Sequence, residues 1–127
     1  MGKKIRIISG KDIIEAELND SKTASGIESI LPVTSRVNRW GGEIYFSIPF
    51  STDYENPREV LEAGELAFWP AGNAFCIFWG KTPATVNDEI RAAGDVNVFG
   101  RITSGIDILE DDGIKSGDTI TIELASE

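Results

Sequence analysis

The amino-acid sequence predicts a mainly β protein: a single domain over residues 1–127, built as a closed eight-stranded antiparallel barrel with one longer helix and one or two short ones. Three observations lead there. Eight short β-rich runs are separated by turns rich in Gly, Pro, Asn and Asp. They lack the strand–helix alternation that marks a parallel, doubly wound sheet. The 127 residues, 41% of them hydrophobic, suffice for one core and contain no internal repeat, linker or low-complexity segment.

The elements follow in chain order. Lys4 to Ile8 and Asp12 to Leu18 form a hairpin around Ser9-Gly10-Lys11. Asn19-Asp20-Ser21 supplies N-cap side chains, after which Ala24, Ile27, Ile30 and Leu31 take a helical spacing that Pro32 ends, giving about three turns. Val33 to Arg39 and Glu43 to Ile48 are strands on either side of a Trp40-Gly41-Gly42 turn or bulge. Asn56-Pro57-Arg58-Glu59 has the pattern of a helix start, predicting a short helix through Val60-Leu61 that Gly64 stops. Leu66 to Trp69 and Ala74 to Trp79, almost unbroken in apolarity, are the densest core segment. Residues 80–94 read as a loop with a turn of helix near Asp88 to Ala92. Val96 to Ile102 and Thr119 to Leu124 complete the strands, with one helical turn expected over Gly105 to Leu109.

Composition narrows the chemistry. With 12 basic and 21 acidic residues the chain carries a formal charge of −9, spread along its length. Nucleic acid and anionic membrane, which demand basic patches, are not expected partners. There is no histidine, which removes Ser-His-Asp, Cys-His and His-ligated metal chemistry, leaving carboxylates, Arg, Lys, Tyr, Cys and the backbone. The single Cys76 excludes an internal disulfide, and no signal or membrane-spanning segment is legible, so a cytoplasmic protein without cofactor or metal is expected. Asn19-Asp20-Ser21 fits a glycosylation pattern by coincidence in that compartment. Asp107, Glu110, Asp111 and Asp112 lack EF-hand spacing and read as solvated loop acids. Glu43 and Glu65 cannot be assigned as a glycosidase-type carboxylate pair without geometry.

Several stretches, in the right order, resemble the cyclophilins, the prolyl-isomerase barrels. They are Lys22-Thr23-Ala24, Val37-Asn38-Arg39-Trp40, Gly72-Asn73-Ala74-Phe75-Cys76-Ile77 and Val98-Phe99-Gly100-Arg101-Ile102 running on to Asp107. The segments from Val37 to Phe46 and from Glu65 to Ala74 are more similar still to the compact bacterial and archaeal cyclophilin-like family of unknown function. The resemblance places Arg39 at the catalytic arginine, Cys76 at an aromatic of the pocket floor, Val96 at a histidine and Trp69 at a small alanine. Ile44, Tyr45 and Ser47 fall at three further pocket positions, with Phe46 a candidate if the register shifts.

The expected function is therefore a binding module. Its groove around Arg39 would be rebuilt with Trp40, Tyr45, Phe46, Trp69, Asn73, Cys76 and Phe78. Its ligand would be small, or an extended and in some cases proline-containing peptide, and a carbonyl or anion would suit Arg39. Weak prolyl isomerisation through Arg39 is the alternative; the arginine would favour a pyramidal prolyl nitrogen over the conjugated amide, whose rotation barrier is about 18–20 kcal/mol. A further alternative is an accessory subunit of an amide-hydrolysing assembly. Against these stand plainer roles: a surface ion pair for Arg39, core packing for the aromatics, a buried small hydrophobe for Cys76, and turn hydrogen bonds for Asn73 and Asn97.

Overall fold

A computed structural model describes residues 3–125. The chain is mainly β, with 48% of the described residues in strands and 11% in helices. Strands β1 (Lys4–Ser9) and β2 (Asp12–Leu18) form the expected hairpin, and α1 (Lys22–Ile30) follows. Next come β3 (Val33–Arg36), β4 (Asn38–Arg39), β5 (Glu43–Ser47), β6 (Arg58–Leu61), β7 (Glu65–Trp69) and β8 (Ala74–Phe78). The long β9 (Ile90–Ser104), a single turn α2 (Ile106–Glu110) and β10 (Thr119–Leu124) end the order.

All the ladders are antiparallel, and the main path runs β3-β10-β1-β2-β9-β7-β8-β5-β4, with β6 pairing β9 to one side. The β-rich antiparallel class expected from the sequence is present, but among the described residues it is built of ten strands rather than eight, and their ladders do not close into a barrel. The two ends of the path, β3 and β4, are neighbours in the chain, separated by Val37 alone. The single run expected over Val33 to Arg39 is thus two short strands serving opposite ends of the sheet.

Two further expectations are corrected. The segment after Asn56 is strand β6, not a helix, because its pairing with β9 outweighs the local helix-start pattern. Asn56 itself has φ +45, a left-handed turn conformation rather than the extended one of an N-cap. Likewise β9 begins at Ile90, so the loop expected to reach Gly94 is shorter, and no helical turn forms there.

Two apolar clusters fill the molecule. The larger includes Ile5, Ile7, Ile14, Ile27, Ile44, Phe46, Phe68, Phe75, Phe99 and Ile122. Phe75 is its hinge pin, stacked on Phe46 at 4.9 Å between ring centres and edge-on to Phe99 at 5.0 Å. A smaller cluster, Leu61, Ala67, Ala74, Cys76, Phe78, Ala92 and Val96, lies on the other face of β7, β8 and β9. Since neighbouring residues of a strand point to opposite faces, Phe75 serves the first cluster while Ala74 and Cys76 serve the second.

Asn97, 1% exposed, ties α1 to the loop before β6. Its Nδ2 donates to Thr23 Oγ1 (3.1 Å) and the Asp53 carbonyl (2.9 Å), and its Oδ1 accepts from the Glu55 N–H (2.8 Å). Glu55 in turn accepts from the N–H groups of Lys22 and Thr23 and from the Thr23 hydroxyl, which together hold its carboxyl below the usual range. Asn97→Ala strands these buried partners and is expected to cost about 2–3 kcal/mol, read as a lower urea midpoint with unchanged slope. A loss under about 0.5 kcal/mol would show that the network is dispensable.

Candidate functional site

Strand register decides which side chains meet. On β5, Glu43 and Tyr45 share one face, and Ile44 and Phe46 the other. The ladder sets Glu43 opposite Phe78 and Tyr45 opposite Cys76; the next ladder sets Cys76 opposite Ala67, and Trp69 opposite Ala74. Directly opposed residues in antiparallel strands lie on the same face, so Glu43, Tyr45, Cys76, Phe78 and Trp69 converge.

They line a cavity of about 130 Å³, completed by Trp40 from the β4–β5 turn and by Ala92, Ala93 and Val96 from β9. An apolar cavity of about 150 Å³ holds a benzene molecule, so this one accommodates a group of similar size. Two glycines shape it. A Cβ on Gly42 would stand 2.3 Å from the Gly80 carbonyl carbon, so only glycine lets the Trp40–Glu43 turn lie against that backbone. At Gly72 a Cβ would stand 2.5 Å from the Trp69 ring, which packs across the β7–β8 turn.

In this apolar wall sits one carboxyl. Glu43 is 6% exposed, and burial raises its pKa from 4.5 to about 7, against a smaller lowering by the Cys76 thiol. That thiol is placed to donate either to the Glu43 carboxyl or to the Ala74 carbonyl 3.8 Å away. Burial and the adjacent carboxylate push its own pKa well up, so Cys76 is a neutral donor rather than a nucleophilic thiolate. Among the described residues, no lysine or arginine lines the cavity.

The profile of the cyclophilin-like family matches residues 3–123. The chain belongs to the cyclophilin-like family. Its fold is also that of a hypothetical protein of Archaeoglobus fulgidus, solved in solution: 36% identical, TM-score 0.81, covering 98% of this chain and 95% of that one. No curated protein matches the chain.

Within the cyclophilin-like fold, the structure brings together five of the eight residues singled out in the sequence: Trp40, Tyr45, Trp69, Cys76 and Phe78. Val96, placed at a pocket histidine by the resemblance, joins them. Three lie elsewhere. Phe46 is wholly buried against Phe75, and Asn73 occupies the β7–β8 turn at φ +49 with its carbonyl accepting from the Ile48 N–H.

Arg39 is the third. It pairs with Ile44, whose side chain faces the main core, and so stands on the opposite side of the sheet from Tyr45. Its guanidinium lies 5.2 Å from the Trp79 ring centre, donates to the Gly41 carbonyl (3.0 Å) and pairs with Asp112. Glu43, left unassigned beside Glu65 in the sequence, lines the cavity without it. The alternation Glu43-Ile44-Tyr45-Phe46 was the available signal, since it puts a carboxylate on the face shared with Tyr45.

Proposed function

We propose that this protein binds a small, predominantly apolar ligand, or an apolar side chain of an extended peptide, in the cavity between β5, β7, β8 and β9. The observation that carries this reading is the cavity itself: an aromatic wall with a single buried carboxyl as its polar fixture. Ligand pockets generally combine an apolar lining with a few placed polar groups. A groove centred on Arg39 is replaced in this reading by one centred on Glu43.

Prolyl isomerisation is not favoured by the same geometry. It calls for a cationic donor beside the prolyl amide, whereas the polar groups on this wall are a carboxyl, a thiol, the Tyr45 hydroxyl and the indole N–H groups of Trp40 and Trp69, with Arg39 engaged by Asp112 on the other face.

A fragment titration tests the binding reading. Indole, cyclohexanol and benzyl alcohol at millimolar concentration are expected to shift the indole N–H resonances of Trp40 and Trp69 selectively. Ala93→Phe, which places a ring at the exposed edge of the cavity, is expected to remove the response, and Arg39→Ala to leave it intact. Shifts absent for every fragment, or unaltered by Ala93→Phe, would refute the assignment.

A further inference from the structure

The character of the ligand follows from what surrounds Glu43. Glu43 is a buried residue whose carboxyl has the Cys76 thiol as its hydrogen-bonding side-chain partner among the described residues, so most of the four acceptor sites of a carboxylate are free for a ligand. The same cavity is walled by the rings of Trp40, Tyr45, Trp69 and Phe78. Aromatic faces carry negative quadrupole potential and attract cations, most strongly where water is excluded. A buried carboxylate without a cation is costly, and a bound cation offsets that cost. An anionic ligand would face the carboxylate with no basic side chain on the wall, and the formal charge of −9 repels anions at long range while drawing cations in.

We propose that the ligand is an organic ammonium, a primary or secondary amine on a small apolar body, whose N–H groups donate to Glu43 while the aromatic rings enclose its charge and its carbon frame. This rests on the cavity being the binding site. Binding exchanges the proton held by Glu43 near neutrality for the positive charge of the ligand, so affinity rises as pH climbs through about 7. The other titratable groups on the wall are Tyr45 on β5 and Cys76 on β8; β7, β9 and the β4–β5 turn contribute Trp69, Ala92, Ala93, Val96 and Trp40, none of which titrates.

The test compares three probes of one shape, benzylammonium, benzyl alcohol and benzoate, by chemical-shift titration at pH 6 and pH 8. At pH 8 benzylammonium is expected to bind roughly tenfold or more tightly than benzyl alcohol, with benzoate weakest, and the advantage is expected to shrink at pH 6. Glu43→Gln, nearly isosteric and uncharged, is expected to erase most of the ammonium's advantage over the alcohol at pH 8 while both still bind. Equal affinity of ammonium and alcohol for the wild type at pH 8, or a preference undiminished by Glu43→Gln, overturns the ammonium assignment and leaves the cavity reading standing. No response to any probe overturns both.

Discussion

Raising the pH from 4.5 to 8 is expected to remove about 3 kcal/mol of folding free energy, and Glu43→Gln is expected to abolish most of that loss. The carboxyl releases its proton at 4.5 when the chain is unfolded and at about 7 when folded, because burial disfavours the charged form. Between those values the native state holds a proton that the unfolded state has released. Native stability from this group is therefore complete below pH 4.5 and disappears as pH rises through 7.

The acidic limb belongs to other groups. Glu89 is held down to about 2 by the Val86 N–H, the Arg91 side chain and the Asn87 N–H, and Glu55 is lowered by Thr23. Depressed carboxylates lose their contribution as pH falls below 4.5, so the two effects occupy different windows. Urea unfolding at pH 5 and pH 8 for the wild type and Glu43→Gln checks the prediction. A wild-type curve flat across that range would show that Glu43 is solvated and charged in the folded protein. Where the prediction holds, the variant used to probe ligand charge is also the more stable protein at pH 8.

The largest loss from one substitution is expected at Phe75. Phe75→Ala removes the ring shared by Phe46 and Phe99 at the centre of the main cluster, and the strands around it are too tightly paired to close the gap. The cost is expected to be about 3–5 kcal/mol, against about 5–15 kcal/mol for the whole stability of an ordinary domain. A shift in the urea midpoint at unchanged slope measures it. A cost below about 1 kcal/mol would mean that the neighbouring side chains refill the space.

These residues also show what was legible in the sequence. The first hairpin, α1, the strands at Glu65–Trp69, Ala74–Phe78 and Thr119–Leu124, and the turn at α2 follow from local patterns of turn residues and apolar spacing. Strand β6 and the start of β9 do not, because each exists only through the other, across register shifts between residues about thirty apart in sequence. At the site, residue type pointed to Trp40, Tyr45, Trp69, Cys76 and Phe78, since aromatics near strand ends and turns draw notice. Face was the harder question. Arg39 stood out as a lone cation in a matching motif, yet its pairing with Ile44 turns it away from the cavity, whereas Glu43, unremarkable by type, is turned in.

The separation of the two apolar clusters has a consequence for how such a protein diverges. The large cluster carries the cost of folding, while the cavity is carved from the small one on the reverse of the same strands. Substitutions at Trp40, Tyr45, Ala93 or Val96 therefore change the size and lining of the cavity without emptying the space around Phe75. Selection can reshape one side of the sheet while the other remains fixed, so descendants of one ancestor can share this backbone and differ in the cavity it carries.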